Sequence, residues 1–341
     1  MIRTTALALL ALAGLFCAPA TAGEPLAACW RAEDLAARPG EARAVKGAPG
    51  STVAMPDTAA DTAARAPILG TVRRVELPAG EKLVALTFDL CETAGEIAGY
   101  DGGVVEALRA ADARATFFAG GHWMATHPER FAQLVADPRF EIGTHSWSHR
   151  NLRKLAADRL AGEIRAPLAT YAAAREALAA RQCAAGLDLG HAPQRPRLFR
   201  FPFGVCNPAA LEAVAEAGLV AVQWDVVSGD PAPGQSADAI VRGVLAAVQP
   251  GSIVVAHANG RGVHTAEALP RLIEGLRKKG YRLVTVGELL AAGTPVVADT
   301  CYELKPGDNA RYDKPATADG RPLAGDARPG AASEPTGARK P

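Results

Sequence analysis

Residues 140–152 read FEIGTHSWSHRNL. A short apolar run over 140–144 leads straight into His145 and His149, four residues apart. Such a run, closed by polar loop residues, reads as a buried strand. Two imidazoles at that spacing can face one ion from a single helical turn or a tight loop. The plain alternative is a pair of capping or surface histidines. Trp147 between them reads as packing, with Ser146 and Ser148 fixing the loop.

Working outward, short apolar runs alternate with longer amphipathic ones. Strands are expected at 83–88, 115–119, 140–144, 198–201, 219–224, 252–256 and 282–285. Helices are expected at 103–111, 128–136, 156–180, 208–217, 237–248, 266–279 and 286–291. Pro128 and Pro208 suit first helical turns, and Gly218 and Gly280 suit helix ends. Seven strands interleaved with helices imply an α/β fold with a parallel sheet, open or closed into a barrel.

The polar residues fall at corresponding points of this pattern. Asp89 follows the first strand, His145 the third, Asp225 the fifth and His257 the sixth, while Arg200 lies in the fourth. The C-terminal strand ends of a parallel α/β fold share one face, and that face carries the site. Asp89 is either a helix cap or a carboxylate serving as an oxygen ligand or general base. Glu92 is a further ligand candidate or a solvated loop acid. His257 is either a core histidine or a general acid. Arg200 and Asp225 read as an ion pair that orients a neighbouring base, or as a purely structural pair. Asp230 reads as a turn residue. His122, His127, His191 and His264 read as structural or surface residues.

The 341 residues suffice for one large domain or two ordinary ones. The start, MIRTTALALLALAGLFCAPATAG, has the plan of a secretory signal peptide cleaved after Ala22. A lipoprotein site at Cys17 is disfavoured by the bulky Phe16. Removing residues 1–22 takes away Arg3 and leaves basic and acidic residues balanced at 36 each. That balance gives no electrostatic footprint for nucleic acid or an anionic membrane. No later segment reads as a membrane span. The protein is therefore expected to be exported, periplasmic or extracellular, with no stable membrane insertion.

Five cysteines follow the leader, an odd number, so at least one is free or paired with another molecule. Cys29 with Cys301, and Cys91 with Cys206, are the expected pairings. Residues 23–79 read as a loosely ordered arm and linker, and 293–341 as a mostly disordered C-terminal extension. Nucleotide-binding glycine motifs and the serine-hydrolase elbow are absent from the sequence.

Taken in order, TFD, HSWSH, RFPFG, DVVSGD and VAH resemble the motifs of the polysaccharide deacetylases, carbohydrate esterase family four, with its NodB-homology domain. The resemblance covers 80–292. It implies a distorted (β/α)7-type barrel forming a single catalytic domain, and a divalent metal of zinc or cobalt type. It also implies removal of acetyl groups from an N-acetylglucosamine-type polysaccharide or peptidoglycan, through an Asp base and a His acid acting on metal-bound water. By this resemblance Asp89 is the base, Arg200 positions it, and His145 and His149 are metal ligands. Asp225 tunes His257, the acid. Phe201, Pro202, Phe203 and Gly204 line the groove and offer a backbone N–H, and Val255 keeps the acetyl pocket apolar.

Three positions depart from the family pattern. Leu90 stands where a second aspartate usually serves as third ligand, leaving Glu92, Asp89 or Asp101 to supply the missing oxygen, or the ion to sit on the two histidines and waters. Phe203 replaces a usual tyrosine, and Val255 a usual leucine. A non-catalytic glycan-binding relative of the same fold, or a deacylase of another amide or ester, are the alternatives these departures leave.

Overall fold

The computed structural model describes residues 24–58 and 64–313. Ten strands form one sheet: β1 (Thr71–Glu76), β2 (Leu83–Leu90), β3 (Ala115–Ala119), β4 (Phe140–Thr144), β5 (Leu198–Phe199), β6 (Val220–Val222), β7 (Val226–Val227), β8 (Ile253–His257), β9 (Arg282–Leu283) and β10 (Thr294–Ala298). Their order is β10-β1-β6-β5-β4-β3-β2-β8-β7, with β9 paired to the start of β2. All pairings are parallel except β10 against β1. The sheet curls until Val75 N–H donates to the Gly251 carbonyl at 3.0 Å. Gly251 has φ +85°, and a Cβ there would lie 1.7 Å from Val75 O, so only glycine allows this approach. The result is the distorted, incompletely closed β/α barrel.

The central strand β2, LVALTFDL, is buried at every position, as a parallel strand covered on both faces must be. Period-two alternation divides it. Leu83 and Ala85 belong to a cluster with Phe118, Trp224 and Val255. Val84, Leu86, Phe88 and Leu90 belong to another, with Leu269, Leu272 and Leu276 of the flanking helix Thr265–Lys278. The helices fall close to their expected bounds. Pro128–Ala136 and Val286–Ala291 match, and Ala157–Ala179 differs by one residue at each end. The helix Gly121–Thr126 and the strands β1, β7 and β10 were not anticipated.

Those strands correct the reading of both flanks. β1 carries Arg73 and Arg74 in its middle, which hides its strand character in sequence, yet it is a core member of the sheet. Arg73 is buried, and its guanidinium donates to the carbonyls of Tyr302 and Glu303 at 2.7 and 2.9 Å. The arm is likewise packed. Its short strand Val45–Lys46 pairs with Glu96–Ile97, and Arg130 is buried against the Glu41 carboxylate. At the other flank, β10 pairs with β1, and residues 299–313 fold back over the barrel. The expected signal peptide and most of the expected disordered tail lie outside the described residues.

The cysteine pairings differ from expectation. Cys29 joins Cys183 and Cys206 joins Cys301, with Cα separations of 5.1 and 5.4 Å, while Cys91 is buried and free. Proximity decides this. Cys206 and Cys301 share one apolar cluster, whereas Cys91 is buried just after the central strand β2, outside that cluster.

Candidate active site

The loop after β4 is rigidly built. Ser146 and His149 both hold positive φ, 60° and 54°, an unfavourable region for residues with a side chain. Glu163, buried in the helix Ala157–Ala179, secures this conformation. Its carboxylate accepts from the backbone N–H of Trp147 and Ser148 at 3.0 and 2.8 Å and from the Ser148 hydroxyl at 2.5 Å. The two histidine rings lie 5.0 Å apart, centroid to centroid. His145 Nδ1 is 2.8 Å from the Arg200 carbonyl oxygen. A carbonyl can only accept, so Nδ1 carries the proton and the Nε2 lone pair is left for the site. Burial first, then the Arg261 charge, pushes the His149 imidazole down to about 3, so the ring is neutral.

Asp89, at the end of β2, is held by Arg200. The guanidinium Nη1 donates to Asp89 Oδ1 at 2.8 Å, while Nε and Nη2 donate to the carbonyls of Val222 and Gln223. The guanidinium also stacks 3.9 Å from the Phe118 ring centroid. Burial alone would raise the Asp89 carboxyl. The Arg200 charge and the nearby His145 and His257 outweigh it and hold the group below the ordinary carboxylate range. Asp89 Oδ2 stands 3.6 Å from His145 Nε2, beyond hydrogen-bond range.

His257 ends β8 beside Asp89; the two are Cα partners in the parallel ladder. Its partner is Asp230, which sequence reading placed in a turn. Asp230 Oδ1 lies 2.9 Å from His257 Nδ1, and Oδ2 accepts the His257 backbone N–H at 2.7 Å. Ser228 and Thr265 hydroxyls donate to the same carboxylate at 2.9 and 2.8 Å. Burial lowers the His257 ring, but the Asp230 charge and hydrogen bond, with Asp89 and Cys91 beyond, push it up to about 9. The imidazole is thus protonated at neutral pH.

Asp225 does not take the place assigned to it. Its carboxylate accepts from Ser252 Oγ and Ile253 N at 2.8 Å each. Ile253 begins β8 and His257 ends it, so Asp225 lies at the far end of the strand, and the expected pair with Arg200 is replaced by Arg200–Asp89. Glu92 is not at the site either. It is fully buried, accepts from Ala98 N and Thr126 Oγ1 at 2.6 and 2.8 Å, and lies 2.5 Å from His122 Nδ1. Asp101 caps the helix Gly102–Ala110. Leu90 points to the outer, helix-facing core with no exposure.

Within RFPFG the residues divide. Phe201 is fully buried in a cluster with Leu152, Ile164 and Leu211, and Pro202 is buried, so neither ring offers groove surface. Phe203 is half-buried, with φ 59°, and packs against His149 at 4.4 Å and Tyr312 at 5.0 Å between centroids. The Gly204 carbonyl accepts from Asn309 Nδ2. Val255 is buried with Trp224 and Phe118.

Among the described residues, the Sγ of Cys91 and one ring nitrogen each of His145 and His149 lie within 4.8 Å of one another. Two imidazoles and a thiol form a donor set suited to a zinc-type ion. Cys91, Asp230 and Tyr312 were missed by sequence reasoning. Cys91 carried a legible signal: two residues beyond Asp89, it returns to the face from which Leu90 points away.

A parallel barrel presenting a held carboxylate, a held imidazolium and a cluster of metal-competent donors at its strand ends defines a hydrolase of the barrel class. The family follows from comparison with known proteins. A sequence profile described as polysaccharide deacetylase matches residues 76–222. The peptidoglycan-N-acetylglucosamine deacetylase of Bacillus cereus is 31% identical over 224 residues, covering 63% of this chain and 91% of that protein. A chitooligosaccharide deacetylase of Bradyrhizobium is 32% identical over 189 residues, covering 51% and 77%. Among solved structures, a peptidoglycan N-acetylglucosamine deacetylase superposes with a TM-score of 0.52 at 26% identity, over 64% of this chain and 93% of that one. A family pseudoenzyme from Bacillus anthracis shares the fold, with a TM-score of 0.53 at 23% identity, over 68% and 72%. The chain belongs to the polysaccharide deacetylase family, hydrolases that act on carbon–nitrogen bonds other than peptide bonds.

Proposed function

We propose that this protein is an exported, metal-dependent deacetylase of an N-acetylglucosamine-type glycan, peptidoglycan or chitin-like oligomers being the substrate class. The observation that carries this reading is the pairing of Asp89, ionised against Arg200, with His257, protonated against Asp230, on adjacent strands. A base and an acid in opposite protonation states at one pH is what amide hydrolysis requires. His145 and His149 would hold the ion, which when bound supplies a Lewis acid for the acetyl carbonyl and activates water. Asp89 takes the proton from the attacking water. The Phe203 backbone N–H is assigned to the developing oxyanion. His257 protonates the leaving amine. Val255 and Trp224 bound the acetyl methyl group.

The binder alternative loses ground here, because a protein that only holds glycan has no use for a tuned acid beside a tuned base. Purified protein given zinc or cobalt should release acetate from N-acetylglucosamine oligomers or from peptidoglycan. Folded, metal-loaded protein that releases none from these glycans or from an acetyl ester would overturn the reading.

A further inference from the structure

The family resemblance leaves a gap at the third ligand, and among the described residues none of the carboxylates offered to fill it joins the histidine donor cluster. Leu90 faces the outer core, Glu92 is consumed by Ala98, Thr126 and His122, and Asp101 caps a helix. Asp89 gives Oδ1 to Arg200, and its Oδ2, 3.6 Å from His145 Nε2, is absent from the cluster formed with both histidines. Among the described residues, Cys91 is the side chain that does join it.

We propose that Cys91 is that third ligand, binding as a thiolate, so that the ion is held by one sulfur and two imidazole nitrogens. This rests on the metal-dependent reading given above. Cys91 is 1% exposed and outside both disulfides, which accounts for the odd cysteine of an exported chain. Its Sγ shares the 4.8 Å cluster with the donor atoms of His145 and His149. Asn259 fixes it: the Asn259 amide Nδ2 donates to Cys91 Sγ at 3.1 Å and to the Cys91 carbonyl at 2.6 Å. Hydrogen bonds of this kind orient a ligand and tune its donor strength.

Cysteine binds a metal as the thiolate. A thiolate carries the same single negative charge as the carboxylate it replaces, so the donor set keeps its net charge. It is softer, however, and shifts preference towards zinc and cobalt and away from magnesium, manganese and calcium.

The test uses the full exported chain with both disulfides intact, loaded with cobalt. Thiolate ligation gives a sulfur-to-cobalt charge-transfer absorption in the near ultraviolet, which nitrogen and oxygen ligands do not. The wild type should show it, and X-ray absorption of the zinc form should show one sulfur at about 2.3 Å. Cys91→Ser, checked for folding by near-ultraviolet circular dichroism, should lose the band. It should also bind the ion at least about 10-fold more weakly, since even lost supporting hydrogen bonds cost that much. Stoichiometric cobalt in the wild type without the band, or zinc without a sulfur neighbour, overturns Cys91 ligation and leaves the metal-dependent deacetylase standing. A chain that binds neither ion overturns both. The wild-type measurements decide the matter even if the variant does not fold.

Discussion

Asp89 and His257 face each other as direct Cα partners at the ends of neighbouring parallel strands, and each is held from behind by an opposite charge, Arg200 and Asp230. The ladder sets their spacing, and the two ion pairs set their protonation. Because Arg200 comes from the β5 end and Asp230 from the loop after β7, four separate chain segments fix two protons.

His257 should govern the alkaline limb of activity. The acid form is needed, and the ring is pushed up to about 9, so kcat/KM should fall as pH rises through that value. Asp230→Asn removes the charge that raises the ring. The alkaline limb should then move down by a unit or more, towards the usual imidazole value of about 6.5. With the ring near 6.5 about a quarter of it is protonated at pH 7, so the rate there should fall by about 4-fold. A pH–rate profile of the variant that keeps its limb near the wild-type position would show that another group is the acid.

Restoring the family aspartate at Leu90 should harm the protein. Leu90 is fully buried among Leu86, Phe88 and helix residues, so Leu90→Asp places an unpaired carboxylate in the outer core. The expected cost is roughly 3–5 kcal/mol in urea unfolding, the range for an uncompensated buried charge. Calorimetric metal affinity should not rise; a tighter site in Leu90→Asp would mean the strand end can rotate.

Glu92→Gln separates structure from ligation. The carboxylate accepts two hydrogen bonds and sits beside His122, away from the His145–His149 cluster. The variant should lose about 1–3 kcal/mol of stability through imperfectly paired buried groups. Its metal content, measured by elemental analysis, should stay at the wild-type level.

The Cys206–Cys301 bond closes a loop of 95 residues and pins the segment whose Tyr312 packs on Phe203. Replacing both cysteines with serine should cost about 2–5 kcal/mol. It should also raise KM for long glycans more than it lowers kcat, because Phe203 and Tyr312 border the site while the reacting groups sit on the sheet. An unchanged KM in the folded double variant would remove Tyr312 from the groove.

The sequence-derived strands 83–88, 115–119, 140–144 and 252–256 were legible because each is a short, largely apolar run, closed by a polar residue in three cases and by Gly120-Gly121 after 115–119. Strands β1 and β10 were not, because TVRRVE and TPVVA take their strand character from pairing with each other, and Arg73 finds its acceptors more than 220 residues away. Asp225 was favoured over Asp230 because it follows the apolar run more closely. In the structure the chain first forms β7, and only then does Asp230 reach the C-terminal end of β8.

The sequence by itself determined the parallel α/β class, because periodicity is a local property, and its motifs pointed to the family and singled out Asp89, His145, His149 and His257 as candidates by their strand-end positions. Which carboxylate holds His257, which cysteines join, and where Leu90, Cys91 and Glu92 point were decided only by tertiary structure. Those depend on the direction of a side chain from its strand, and on the partners that distant segments bring within hydrogen-bonding reach. The two histidines of FEIGTHSWSHRNL thus stood out in the sequence, and folding brought the Cys91 sulfur beside them.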